Sequence, residues 1–386
     1  MVSAMRRRIL HPHPLTLCAL LAASTAAASA MQNRAADHVV PSRPETVVWG
    51  WIPIDRPPVI TVQPGQTVRI DTLSHHGATQ AEPPEALLAP YGVGPDEILQ
   101  DVRDFWTSRP GRPREGRGGA HILTGPVAIA GAEPGDVLEV QILELTPRVP
   151  WGVNTTGPAS GVLGPNYPGT RPGDRTLDIP PGTRHVIRTG RVNGRDVALA
   201  ADGIHVPLAP FMGIMAVAPR SPAVGEPGVT LPGIQSSTPP GPYGGNMDLR
   251  DLTAGSTLYL PVFHPGALFY IGDPHGVQGN GEVSGNALEQ SLTGVFRFVV
   301  HKGRSIAWPR AETPTHDILM GIDLDLDRAM RIAVLETVAF LVAEKGLTPA
   351  KAFSLASLAV DFQVAEAVDL AQLVSAKIPK SLFLKE

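Results

Sequence analysis

The residues best suited to chemistry gather between positions 243 and 289. The stretch reads Tyr243-Gly-Gly-Asn246-Met-Asp248, then Leu258-Tyr-Leu-Pro-Val262, then Gly266-Ala-Leu-Phe-Tyr-Ile-Gly272-Asp273-Pro-His275. It closes with Gln278-Gly-Asn280-Gly-Glu282-Val and Glu289. Polar side chains stand between glycines at the ends of apolar runs. Glycine lets a backbone turn tightly and approach a ligand. Asp, His and Glu offer oxygen and nitrogen donors to a divalent ion, and a Glu can also serve as a general base. A turn role would be enough for any one of these residues, because Asp and Asn bond their own backbone. Asp273, His275 and Glu282 within ten residues point instead to a shared site.

Two more polar-glycine motifs precede that stretch. One is Gly119-Ala-His121-Ile-Leu-Thr124-Gly-Pro126, the other Thr72-Leu-Ser-His75-His76-Gly77 at a strand end. On an extended strand, neighbouring side chains point to opposite faces, so at most one of His75 and His76 is expected in a common pocket.

Elements able to hold such residues are mostly strands. Gly and Pro number 40 each in 386 residues, and only 18% of residues are charged, which favours short strands between turns over a helical bundle. Leu138, Val140 and Ile142 alternate with Glu139 and Gln141, the period of a half-buried strand. Residues 31–46 read as a flexible lead-in and 47–311 as a mainly β body. Residues 81–120 look irregular, with a basic surface loop from Arg103 to Arg117. The pattern changes near residue 312. Leu326, Met330, Ala333, Val334, Leu335, Val338, Leu341 and Val342 trace a helical face, Gly346 marks its stop, and Thr348-Pro349 opens a second helix. Residues 312–386 are therefore expected to be a helical C-terminal segment packed on the body. Asp323, Asp325 and Asp327 superficially suggest a calcium loop, but Arg328 and Val334 occupy its glycine and glutamate positions.

The net charge of −4 carries no basic stripe for nucleic acid. Arg6-Arg7-Arg8, an apolar stretch from Leu15 to Ala28 and Ala28-Ser29-Ala30 form the pattern of a signal peptide over residues 1–30. Its apolar stretch falls short of the roughly 20 residues of a membrane span; an uncleaved anchor is the alternative. The single cysteine, Cys18, lies within it, so cleavage after Ala30 would leave no disulfide and no cysteine nucleophile.

In order along the chain, these blocks resemble the acetamidase/formamidase family. The likeness runs through Trp49-Gly-Trp51, Pro57-Pro-Val-Ile-Thr-Val, His121-Ile-Leu-Thr-Gly-Pro-Val and Gly131-Ala-Glu-Pro-Gly-Asp-Val-Leu-Glu-Val. It continues in Pro210-Phe-Met-Gly-Ile-Met, the 244–282 stretch, Glu312-Thr-Pro-Thr-His316 and Ile378-Pro-Lys-Ser-Leu-Phe383. The resemblance implies a mainly β (α+β) fold with sandwich and barrel-like parts, and hydrolysis of a small linear amide to ammonia and a carboxylate. It is compatible with a divalent metal, and it makes a homo-oligomer plausible, with a dimer as the default. Similar proteins usually read Gln-Gly-Asp-Gly-Glu where this chain has Asn280, and a subgroup has Glu where it has His76. Asn280 keeps a side-chain oxygen but cannot act as a base.

From side-chain chemistry, the candidate metal ligands are His121, Asp248 and His275, with zinc as the ion and calcium as the alternative. Glu282 is the candidate general base, with Asp273 as a second catalytic carboxylate. Asn246, Asn280 and His75 are candidates for binding substrate. A binding protein without turnover is the competing reading, favoured by Asn280. The targeting segment generates a first prediction: a soluble periplasmic or secreted protein whose mature chain starts at Met31, read by mass spectrometry of the N-terminus. A chain retained in the cytosol and starting at Met1 would refute it.

Overall fold

The computed structural model describes residues 36–112, 118–165, 167, 171–175, 177–222, 227–229 and 232–383. The expected signal peptide, and Arg114 and Arg117 of the basic loop, lie outside them. Alternating apolar and polar residues build the first sheet. Leu138, Val140 and Ile142 are buried along strand Val137–Pro147, and Phe296 and Phe298 along its antiparallel neighbour Leu292–His301. Glu139 bonds the His301 ring at 2.6 Å away from that core. This sheet has nine strands, from His38–Val40 through Thr67–Asp71, Leu292–His301, Val137–Pro147, Thr257–Pro261, Arg310–Glu312, His316–Asp323 and Ala371–Pro379 to Asp361–Asp369.

The strands of the second, seven-stranded sheet read differently. Ile122–Ile129, Phe211–Val217 and Phe269–His275 are buried at every residue. Near-continuous apolar runs suit strands covered on both faces. One face shares a core with the first sheet through Leu123, Val127, Ile129, Ile214, Phe269 and Ile271. A second cluster, with Trp49, Leu73, Leu88, Phe105, Ile122 and Trp151, forms a separate core beside it. Two sheets facing one core make the β-sandwich expected from the sequence. A four-stranded antiparallel sheet, Trp151–Thr156, Thr183–Val192, Arg195–Ala201 and Ile204–Pro207, stands beside it. One hairpin there turns on Asn193 and Gly194, both with positive φ as a tight two-residue turn requires.

Three expectations need correction. The lead-in contributes strand His38–Val40, parallel to Thr67–Asp71. The region read as irregular holds helices Pro84–Leu88 and Gln100–Ser108, and Phe105 packs edge-on against Trp49 at 5.8 Å. Arg103, assigned to a loop, instead bonds Glu85 at 2.5 Å and the carbonyls of Ile98 and Pro95. Residues 312–386 do carry the expected helices, Leu326–Lys345 and Pro349–Ala359, capped by Asp325, Gly346 and Thr348. However, strands flank those helices and extend the nine-stranded sheet. Asp325 caps its helix and Asp323 faces Arg328 at 3.3 Å, as helix-start carboxylates do.

The long helix sits on strand His316–Asp323 at Gly321. A Cβ there would lie 2.1 Å from the Ala329 carbonyl oxygen and 2.4 Å from the Ala333 nitrogen, backbone atoms that cannot swing aside. Gly321→Val should destabilise the chain by at least roughly 1–3 kcal/mol, seen as a lower urea midpoint. An unchanged midpoint would show that the contact is not tight.

Candidate active site

The site is built around a missing side chain. Strands Phe211–Val217 and Phe269–His275 pair with Phe211 opposite His275 and Ile214 opposite Gly272, so Gly213 stands opposite Asp273. A Cβ on Gly213 would lie 2.3 Å from Asp248 Oδ1, 2.7 Å from Asp273 Oδ2 and 2.9 Å from His275 Cε1. The Gly213 carbonyl accepts bonds from the Met247 and Asp248 amides at 3.0 and 3.3 Å. Those bonds fold the chain after strand Gly244–Asn246 back over the glycine and bring Asp248 to it. Phe211 packs edge-on against the His275 ring at 5.0 Å.

His275 is fully buried between carboxylates. Its Nδ1 is 3.4 Å from Asp248 Oδ1, and its Nε2 is 3.2 Å from both Asp273 Oδ2 and Glu289 Oε1. These approaches are close but poorly aligned, and neither ring nitrogen makes a hydrogen bond. Glu289 is placed by backbone bonds exchanged with Val153 at 3.0 and 2.9 Å. Its Oε2 lies 3.8 Å from His75 Nδ1. His121 reaches the same place from the start of strand Ile122–Ile129, which pairs with Phe269–His275. Its Nδ1 meets Ser237 Oγ at 3.0 Å, and its Nε2 is 4.0 Å from Asp273 Oδ1. Glu282 and Asp369 complete the group: Glu282 lies with His275 and Glu289 on one side and with Asp248 and Asp369 on the other.

Donors without partners concentrate here. Both Asp248 oxygens, both His275 nitrogens, Asn246 Oδ1, Glu289 Oε2, Asp369 Oδ2 and His75 Nδ1 are buried without a hydrogen bond. Each such group costs about 1–3 kcal/mol of desolvation. Grouped in one place, they suit a ligand, and these buried acidic and His groups could hold a metal ion. The backbone is strained as well: Asp248, Asp273 and Glu282 have φ of 42°, 52° and 43°. Such conformations cluster at functional sites because only a rigid surround upholds them.

Burial and charge set the protonation of these groups. Burial alone would raise Asp273, but His275 and His121 overcome it and hold the carboxyl below its ordinary range. Burial opposes charge on His275, yet Glu289 and Asp273 keep its ring well above the usual imidazole value. Glu282 is pushed well up by burial and then by Asp248 and Asp369. Burial likewise raises Asp248, helped by Asp369 and Asp273. Burial holds His75 and His76 down.

The profile of the acetamidase/formamidase family matches residues 118–226 and 233–385. The chain belongs to the acetamidase/formamidase family. It is similar to the acetamidase of Mycolicibacterium smegmatis, 29% identical over 279 residues (61% of this chain, 60% of that protein). It is also similar to the formamidase of Methylophilus methylotrophus, 25% identical over 272 residues (61% and 58%). The chain thus matches less than two thirds of the length of these curated relatives. The crystal structure of acetamidase from Yersinia enterocolitica superposes with a TM-score of 0.70 at 27% identity, covering 92% of this chain and 95% of that one.

Within this acetamidase/formamidase fold, Asp248, Asp273, His275 and Glu282 converge, with His121 beside Asp273 and His75 beside Glu289. Asn246 is buried next to them on the strand paired with Ile214. Asn280 is not among them. It is exposed, and its Nδ2 donates to Gln363 at 2.8 Å. Of His75 and His76 only His75 joins the group, as expected, although the two lie in a turn and not on a strand. The His75 carbonyl accepts from the Ala78 and Thr79 amides in a tight turn, which brings the two rings to 4.2 Å. Sequence reasoning assigned no role to Glu289 and missed Asp369. Glu289 opens the polar run Glu289-Gln290-Ser291 between Leu288 and Leu292, and Asp369 follows Ala367-Val368 at the end of an otherwise apolar stretch. Either oddity was a usable signal.

Gly213→Ala should leave a folded protein, checked by circular dichroism, with any amide-hydrolysing activity reduced at least about 10²-fold, read as ammonia release. Asn280→Asp should stay within about twofold of the parent, as a surface change does. A large gain from Asn280→Asp would mean that this residue does face the substrate.

Proposed function

We propose that this chain hydrolyses the C–N bond of a small linear amide, with zinc, and that it does so outside the cytosol after removal of residues 1–30. Formamide and acetamide are the simplest substrates of this kind. The observation that carries the reading is the convergence of unpartnered nitrogen and oxygen donors on the space beside Gly213. Export is supported by Arg6-Arg7-Arg8, the apolar stretch and Ala28-Ser29-Ala30.

His75, Asp273 and Glu289 present donor atoms within 4.8 Å of one another, and His275 Nε2 faces the same two carboxylates. This mixed imidazole and carboxylate set suits zinc. Bound there, the ion supplies Lewis acidity to an amide carbonyl and eases deprotonation of water. Asp248 braces His275 from its Nδ1 side and fixes which nitrogen faces the donors. Asp273 is thus a ligand and Asp248 an orienting group, the reverse of the roles expected from side-chain type alone. His121, held by Ser237, stands over Asp273 at the edge of the group.

Glu282 is the proton carrier. Its raised affinity for protons, from burial and then from Asp248 and Asp369, suits a group that takes a proton from water and returns it to a departing amine. Water's oxygen forms the new C–O bond and the C–N bond breaks; Glu282 carries one water proton to the departing nitrogen and the second is released from the new acid, leaving a carboxylate and ammonium.

Glu282→Gln should lower kcat about 10²–10⁴-fold while zinc content and fold are retained. Chelation should abolish turnover, and added zinc should restore it. Undiminished amide hydrolysis by metal-free protein would sink the mechanism.

A further inference from the structure

Beside Glu282 the molecule opens into a hollow. A cavity of about 240 Å³ lies between the four-stranded sheet and the loop from Val277 to Leu288, and Glu282 lines it. The pleat decides which side chains form its sheet wall. Ala198 pairs with Thr189 and Val206, and Ile187 with Gly152, so Asn154, Ile187, Ala198 and Val206 share one face. Ala200, two residues after Ala198, lines the same hollow. A Cβ on Gly152 would lie 2.7 Å from the Leu288 side chain, so loop and sheet touch at that end. The alanines beside this contact leave the space. Val283, 61% exposed, stands at its mouth.

Polarity differs between the two sides of Glu282. Around the hollow, polar side chains already have partners. Asn154 Nδ2 donates to the Asn286 and Ala287 carbonyls at 2.8 and 2.9 Å, and the Asn286 side-chain oxygen accepts from Thr155. Ser284 Oγ donates to the Asn286 carbonyl at 3.2 Å, and Asn280 Nδ2 to Gln363 at 2.8 Å. Acceptors without partners belong to the cluster instead: both Asp248 oxygens, Asn246 Oδ1 and Glu289 Oε2. Gln278 marks the boundary. Its Nε2 donates to the Asp248 carbonyl at 2.9 Å, and its Oε1 has no partner.

That asymmetry orients an amide. An unsubstituted amide nitrogen carries N–H donors, and a buried donor without an acceptor is costly. An alkyl chain has no such need. The nitrogen therefore belongs with the cluster and the chain with the hollow. We infer that the hollow takes the acyl chain of the substrate, and that the substrates are primary amides with an apolar chain longer than that of acetamide. The inference rests on the reading of this chain as an amide hydrolase with Glu282 as its proton carrier.

Volume sets the length of that chain. A water molecule takes about 30 Å³ of the liquid, so the hollow has room for about eight. Formamide and acetamide have nothing to place there. A chain of about four to six carbons fills it, and Val283 extends the apolar surface to the mouth. Each methylene moved out of water strengthens binding by about fourfold. The chain lies away from the reacting bond and is held alike before and during the reaction, so this gain appears chiefly as a lower KM.

The test uses the full chain. Ammonia release is measured for acetamide, butyramide and hexanamide, amine release for N-butylacetamide, and binding of hexanamide by calorimetry. Hexanamide should exceed acetamide in kcat/KM at least about tenfold, and N-butylacetamide should fall below butyramide. Ala200→Phe puts a ring into the hollow and should lower the hexanamide-to-acetamide ratio at least about tenfold. Val283→Asp, at an exposed position, should lower the same ratio and decides the matter if the first variant misfolds. The inference is overturned if acetamide is the better substrate, if the folded variant leaves the ratio unchanged, or if N-butylacetamide is preferred to butyramide. Turnover of acetamide without a gain from chain length would leave the hydrolase reading standing and sink this one. If no amide is hydrolysed, the hydrolase reading fails and calorimetry judges the hollow. Hexanamide binding that Ala200→Phe weakens would sustain it; absence of binding would overturn it.

Discussion

Mutual repulsion of buried carboxylates is the constraint on which this structure depends. Asp248, Asp273, Glu282, Glu289 and Asp369 surround the single ring of His275, which offers at most one positive charge. In a low-dielectric interior like charges at such distances oppose burial strongly. His275, with His121 beside Asp273, offsets only part of that repulsion. The surrounding sandwich holds the group together, and Gly213 leaves the space in which the carboxylates of two chain segments approach one ring.

That surround is rigid for identifiable reasons. Phe269, Tyr270 and Ile271 are fully buried just before Asp273, and Ile214 and Met215 just after Gly213. Strands packed on both faces cannot shift to relieve crowding at their ends, because interiors are close-packed. They can therefore uphold left-handed backbone at Asp248, Asp273 and Glu282, each costing about 1–3 kcal/mol. Stability elsewhere maintains a geometry that isolated loops would abandon. The same rigidity suits a site that must keep its donors in place before a ligand arrives.

The outer parts of the site come from segments with little local order of their own. His75 and His76 share a turn after Thr67–Asp71, and Glu289 is fixed by its exchange with Val153. Asp369 follows two irregularities in its strand pairing, between Val364 and Glu366 and between Glu366 and Asp369. A bulge re-aims a side chain without ending the strand. Here it brings the far end of the chain to Asp248, more than a hundred positions earlier.

Much was legible before any coordinates. Leu138, Val140 and Ile142 betray an inward strand face because their spacing matches the pleat. Thr348-Pro349 and Gly346 mark helix limits because caps are local chemistry. Polar residues set between glycines from 243 to 289 mark the site because tight turns need glycine. The rest is decided by contacts that no local pattern encodes. Asn280 and Glu282 are two residues apart in one motif, yet one faces solvent and the other the cluster, since a turn separates them. His75 and His76 lie together because the chain bends there, not because of their types. Asp369 enters the site through sheet pairing between distant segments. Composition and spacing determined which residues could do chemistry; only the packing of two sheets decided which of them meet, because that depends on long-range burial and not on neighbours along the chain.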